Sequence, residues 1–555
     1  MRLVSAYLLA LLVPGATLAQ EPEPIEAGLA PPAGAYAPGV DVTHYEVEIG
    51  LGLATDWFAG SVTVHLVTRA ASPVLPLDFT GLEIIEVERS GRAVAFTHRA
   101  GVLSVPLTGT ASGDEVEVTV RYRGVPDDGL ILRNNVHGAP SAFVDNWPNR
   151  TRFWLPTVDH PAEKATVRYV IHAPVEWRVV ANGHLASGPE PSATDALGPA
   201  GDRNTWVWEV GVPISSYNMV IGAADMVVRS VGLAACGQAP ASRREDGCVD
   251  VTYWVFPEDE QRAEPSFRRA AEMVDYFTET IGPYPFEKLA NVQSATRFGG
   301  MENASAIFYS ERSIASGRNI EGTVSHEIAH QWFGDAVTEA RWHHIWLSEG
   351  FATYFGALFF ERADGAEALR ERMEQSRQSI LASDVTSQPI ITEEESLFDL
   401  LNTNAYPKGG WVLHMLRGVL GDETFFAGIR EYYRRHLHSA VLSEDFQAAM
   451  EDVSGQDLEW FFHQWLYEPG YPVFEVQDRW IEDRGVVEVT VRQTQDPTWP
   501  RFRIPAELLV TSGDQRVRHQ VLLEGSETVF ELPLPRAPSS VVLDPGGWIL
   551  KGDVR

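Results

Sequence analysis

Apolar and polar residues alternate through the first third of the chain. Tyr45, Val47 and Ile49 interleave with His44, Glu46 and Glu48, Val62, Val64 and Leu66 with Ser61, Thr63 and His65, and Val116, Val118 and Val120 with Glu115, Glu117 and Thr119. A period of two sends successive side chains to opposite faces, so these runs predict strands with one buried face. Gly, Pro and Asp punctuate the pattern to about residue 230, which predicts a large antiparallel β domain over residues 41–230. Near residue 260 the spacing lengthens to that of a helix, first in Phe267–Phe277, which stops at Gly282-Pro283. Helical patterns then dominate to about Tyr467: one ending near Gly334, and others over 347–362, 367–381, 410–420, 424–436 and 443–453. After Gly470-Tyr471-Pro472 the alternation returns at Val487, Val489 and Val491, predicting a small β-sandwich over 472–555. The chain therefore reads as a multidomain α+β protein with a mainly helical middle domain over 231–471.

Its 555 residues suffice for several cores. Asp and Glu number 76 against 44 Lys and Arg, a net charge of -32. That balance argues against nucleic acid or an anionic membrane surface as the main partner, because both call for a basic footprint. It mildly favours cationic ligands such as free peptide amino termini. Met1-Arg2, an apolar run from Leu3 to Val13 and the close at Thr17-Leu18-Ala19-Gln20 predict a secretory signal over 1–19, cleaved after Ala19. The run is short for a membrane span, no Cys stands at the cleavage point for a lipid anchor, and no later segment is apolar enough to cross a bilayer. Residues 20–40, rich in Pro, Ala and Glu, read as a flexible lead-in. The expected location is outside the cytoplasm, periplasmic or extracellular. Cys236 and Cys248, the two cysteines, flank a polar loop with Gly237, Pro240 and Gly247; in an oxidising compartment they are expected to pair.

One stretch carries chemistry: His326-Glu327-Ile328-Ala329-His330. Histidines at i and i+4 share a helix face and can grip one Zn2+ ion, with the glutamate placed to handle a proton of water. A catalytic zinc site needs three protein ligands and one open position. Glu349, separated from His330 by 18 intervening residues and on a second predicted helix, supplies the third. The first helix is otherwise apolar at Ile328, Ala329, Trp332 and Phe333, so surface histidines are a poor reading; unpaired imidazoles against a core are costly. Upstream lies Gly299-Gly300-Met301-Glu302-Asn303.

These residues together resemble the zinc aminopeptidase family that includes aminopeptidase N and leukotriene-epoxide hydrolase, whose marks are GxMEN, HExxH, 18 residues, and Glu within WLxEGFA, here Trp346-Leu347-Ser348-Glu349-Gly350-Phe351-Ala352. Tyr406-Pro407-Lys408-Gly409 is similar to the family's tyrosine motif, with Pro407 in place of Glu. Trp460–Trp465 and Pro469–Pro472 resemble the end of its catalytic domain, and Phe153–Pro156 with Asp159-His160-Pro161 and Lys164-Ala165-Thr166 a run in its β domain. The resemblance spans roughly residues 41–472. It implies a thermolysin-like catalytic domain and one zinc ion held by His326, His330 and Glu349. It also implies Glu327 as the base that takes a proton from zinc-bound water, and Tyr406 as a donor to the developing oxyanion. Glu302 would bind the free α-amine of a peptide, making the enzyme an exopeptidase, while Gly299 and Gly300 let the peptide backbone approach closely and Met301 and Asn303 complete the segment. By alignment, a glutamine that helps hold the amine in relatives falls near Asp145, whose carboxylate could serve the same ammonium. His343 and His344 stand where relatives often have Asn or Asp, and read as packing or surface residues. The large C-terminal helical domain of many relatives is expected to be absent, leaving a more open cleft.

Other readings share part of this evidence. A thermolysin-type endopeptidase has HExxH and a distal Glu but no need of Glu302. An epoxide hydrolase acting on a fatty acid needs basic partners for the carboxylate. An inactive peptide-binding scaffold would have lost Glu327 or a zinc ligand, and all are present.

Overall fold

The computed structural model describes residues 37, 39–52, 58–192, 197, 202–394 and 396–553. The expected signal segment 1–19 and the lead-in up to residue 36 lie outside these described residues.

The alternating segments form the strands they predict. Val40–Leu51, Phe58–Thr68 and Glu115–Gly124 lie side by side in an eight-stranded sheet. Val62, Val64, Val118 and Val120 point into the core and Thr63 and Thr119 outward, their hydroxyls 2.9 Å apart. The sheet departs from the antiparallel arrangement expected from the alternation at one pair: Val40–Leu51 pairs in parallel with Lys164–Pro174, Tyr45 opposite Val167. Two strands separated by more than a hundred residues return to each other with a long connection, which parallel pairing requires. A four-stranded sheet, built from Leu130–Asn134, Pro140–Val144, Arg178–Ala181 and Ile221–Ala224, turns toward the middle domain, where Phe143 meets Phe308 edge-on at 5.8 Å.

The middle domain contains the predicted helices, at Ala270–Thr280, Glu321–His330, Trp346–Asp364, Ala366–Leu381, Gly409–Leu420, Asp422–His436 and Ser443–Ser454. It also contains a five-stranded sheet that helical periodicity did not reveal, in the order Val227–Ala234, Val249–Val255, Leu289–Ser294, Ala306–Ser310, Gly300–Met301. Leu289–Ser294 is buried at every position, so it shows no alternation to read. Helix Trp346–Asp364 is buried nearly all round, the mark of a central helix. Cys236 and Cys248 are joined in a disulfide.

Past Pro472, two three-stranded sheets form the sandwich. It is fastened to the helices by reciprocal hydrogen bonds between Gln464 and the Arg503 backbone (3.0 Å each) and by His414 stacking on Trp548 at 4.6 Å. The β domain is fastened more deeply. Half-buried Lys164 donates to the carbonyls of Asp335 and Ala336 at 2.9 Å, and Tyr217 donates to the Gly334 carbonyl at 3.1 Å. Both grip the loop that leaves His330.

Candidate metal centre and cleft

Helix Glu321–His330 begins where Asn319 Oδ1 accepts from the Glu321 N–H at 3.0 Å, a side-chain cap for an orphan donor. Arg269 clamps Glu321 through two hydrogen bonds, and Ser325 Oγ donates to Gly356 O at 3.0 Å on the central helix. Val324, Ile328 and Ala329 face the core, and the opposite side of the last turn presents His326 and His330 to Glu349.

His326 Nε2, His330 Nε2 and Glu349 Oε2 form a triangle with sides of 3.0, 3.2 and 3.3 Å. Donors held about 2 Å from one zinc ion are spaced in this way. The tautomer agrees: His330 Nδ1 lies 3.0 Å from Phe333 O, which can only accept, so the proton is on Nδ1 and the Nε2 lone pair faces the triangle. Ser348 Oγ stands 3.1 Å from the same Nδ1. Gly334, at φ +117°, lets the chain turn within reach: a Cβ there would come 2.4 Å from Ser348 Oγ. The donor set therefore fits a borderline divalent ion such as zinc.

Around the triangle lies a cleft of about 400 Å³, lined by Trp147, Phe298, Gly299–Glu302, Thr353, Leu401, Tyr406 and the His–Glu groups. Gly300–Met301 is the edge strand of the five-stranded sheet and pairs on one side only, with Tyr309 and Phe308. Such an edge can accept an extended peptide as a further strand. Gly300 is required there in this packing, since a Cβ would stand 2.2 Å from Glu327 Oε1. Tyr406 donates to the second oxygen of Glu349 at 2.7 Å and lies nearly parallel to the His326 ring. It sits in a π-helical turn, Asn404–Lys408, that carries Pro407.

The electrostatics call for positive charge. Burial pushes Glu302 up to about 7 and Glu327 well above the ordinary carboxylate range, and neighbouring carboxylates add to both. Burial also opposes charge on Glu349, but His330 and His326 outweigh it and hold this carboxyl down to about 2. Burial and then Glu349 raise Tyr406, so the phenol keeps its proton and remains a donor.

The structure brings His326, His330, Glu349, Glu327, Tyr406, Gly299, Gly300, Met301 and Glu302 to one cleft. Two expected residues stand elsewhere. Asp145 does not line the cleft: buried, it pairs with Arg150 (3.1 Å) and Arg297 (3.3 Å), and two guanidinium groups already satisfy its charge. Asn303 does not line the cleft, and its carbonyl accepts from the Ala306 N–H in the turn that returns the chain to the sheet. His343 donates to Glu394 O at 2.9 Å, and buried His344 meets Ser443, so both are packing residues. Sequence reasoning passed over Gln331, whose amide donates to Glu302 O and to Asp335 at 2.7 Å while its oxygen accepts from the Ser305 N–H; it ties the metal helix to the Gly299–Asn303 segment. It also passed over Ser348, Phe333 and Trp147. Only Gln331, a polar residue on an apolar helix next to a ligand, left a signal in the sequence.

Fold and site together set an HExxH group able to hold a metal ion between a β domain and a helical domain. Residues 266–465 match the Peptidase family M1 domain, which supports the zinc aminopeptidase family that the motifs resemble. It is 25% identical over 467 residues to probable aminopeptidase 2 of Sulfurisphaera tokodaii, covering 79% of this chain and 55% of that protein. It is 28% identical over 509 residues to human glutamyl aminopeptidase (84% and 50%), and 34% identical over 470 residues to aminopeptidase M1-D of Oryza sativa subsp. japonica (78% and 50%). The chain spans about half the length of the curated relatives it matches.

Proposed function

We propose that the protein is a zinc aminopeptidase that hydrolyses the amino-terminal bond of peptides outside the cytoplasm. The observation that carries this reading is Glu302, a buried carboxylate that stands immediately after the free edge strand Gly300–Met301 and lines the same cleft as the His–Glu triangle. A carboxylate there pairs with an α-ammonium and positions the first peptide bond, and only that bond, at the metal-binding groups. His326, His330 and Glu349 would hold zinc, which when bound polarises the scissile carbonyl and acidifies water. Glu327, pressed against Gly300, is placed to accept a proton from the attacking water and return it to the leaving amine. Tyr406, held protonated, offers its O–H to the carbonyl oxygen as charge develops there. The cleft-lining residues include no Lys or Arg, which disfavours a fatty-acid carboxylate as the ligand. An exported location rests on the signal-like residues 1–19 and suits the Cys236–Cys248 disulfide; among the described residues, no helix is long and apolar enough to cross a membrane.

The test compares peptides with free and N-acetylated termini on the zinc-loaded enzyme. Stepwise release of residues from free peptides only is expected. Equal cleavage of blocked peptides would replace this reading with an endopeptidase.

A further inference from the structure

We propose that Glu302 and Glu327 form a second, weaker site for a divalent cation of the zinc type beside the first, a site that such an ion and the substrate's ammonium contest. Oxygens of Glu302 and Glu327 and a ring nitrogen of His330 lie within 4.8 Å of one another, a cluster separate from the His326–His330–Glu349 triangle except for the shared histidine. His330 directs its Nε2 at the triangle, so the protein ligands left for a second ion are the two carboxylates.

Two observations indicate that these carboxylates await a cation. First, Glu327 is only 5% exposed and faces the cleft, yet among the described residues nothing donates a hydrogen bond to its carboxylate. Among the described residues, the Glu302 carboxylate, 6% exposed, has a hydrogen bond only from its own backbone N–H. A buried carboxylate without donors or a counter-ion is costly, and native proteins seldom keep one unless a ligand completes it. Second, the two carboxylates line the same cleft as the His326–His330–Glu349 triangle and approach one another closely enough to share one cation. Carboxylate oxygens pair with an ammonium and also bind a metal ion readily. The site is weaker than the first because it offers two carboxylates and no free imidazole. The contest with an ammonium rests on the aminopeptidase reading; binding of the ion does not.

The experiment titrates protein holding one equivalent of zinc with further Zn2+ or Co2+ at fixed pH, counting bound metal by mass spectrometry after equilibrium dialysis. A second equivalent is expected in the native protein. It should be lost in Glu302→Gln and in Glu327→Gln, while each variant keeps the first equivalent, which also shows that the triangle has folded. Absence of a saturable second equivalent, or its persistence in both variants as adventitious binding to surface carboxylates, would overturn the proposal. In kinetics, zinc beyond one equivalent should raise KM for free-amine peptides without lowering kcat; a fall in kcat at saturating peptide would refute the contest. Failure to cleave any free-amine peptide would sink the aminopeptidase reading and leave the metal count standing.

Discussion

Replacing Gly334 by alanine tests whether the metal centre depends on the loop behind it. Gly334 adopts φ +117°, where an L side chain is strained by about 1–3 kcal/mol. The new Cβ would stand 2.4 Å from Ser348 Oγ and 3.0 Å from His330 Nδ1. The serine hydroxyl can rotate away, but the contact with the ring nitrogen persists, so either the loop withdraws or the imidazole tilts. Both responses loosen the bond from Nδ1–H to Phe333 O that fixes the ring. Losing an orienting partner of this kind lowers metal affinity about 10–100-fold, or about 1.4–2.7 kcal/mol. Zinc affinity measured by chelator competition checks this, with Ser348→Ala as a companion that removes the closest contact. Gly334→Ala combined with Ser348→Ala should bind zinc more tightly than Gly334→Ala alone. Zinc affinity within twofold of the native protein would refute the claim that this loop orients His330.

Three further outcomes are expected. Glu327→Gln should keep one equivalent of zinc and lose at least about 10²–10⁴-fold in kcat, read by metal analysis and steady-state kinetics; retained turnover removes Glu327 as the base. Tyr406→Phe should lower kcat about 10²–10³-fold with little change in KM, and an unchanged kcat would reduce Tyr406 to a packing partner of Glu349. Lys408, fully buried and among the described residues without a hydrogen-bond partner for its amine, is lowered by burial from 10.5 to about 7. The unfolded chain therefore binds more protons between pH 7 and 10.5, and this residue's contribution to stability grows as pH rises through that window and is lost as pH falls through 7. Lys408→Met should raise the melting temperature more at pH 6 than at pH 9; an equal shift at both values would show that the amine is already satisfied.

The metal triangle was legible because its spacing is local. An i, i+4 pair on a helix has one geometry, whereas Glu349 sits on a helix buried nearly all round and was legible through its WLxEGFA motif. Glu302 was legible only through resemblance, since nothing in the period of Gly299–Asn303 says that it forms a sheet edge. Asp145 shows the opposite case. A carboxylate near a motif in the alignment invited a substrate role, but Arg150 and Arg297, 5 and 152 residues away, neutralise it in space. Leu289–Ser294 escaped notice because a strand buried on both faces has no polar face to alternate with.

The order of residues alone settles the α+β division, the helices that carry His326, His330 and Glu349, and the chemistry open to those side chains, since each follows from periodicities of two to four residues and from side-chain type. Tertiary structure decides the rest. It packs the Lys164 and Tyr217 side chains of the β domain onto the loop after His330, lays Gly300 against Glu327, and aims Gln331 at the Glu302 backbone. These contacts join residues tens to more than a hundred positions apart. Their partners are chosen by which buried polar groups can satisfy one another once the domains close, and no local period encodes that choice.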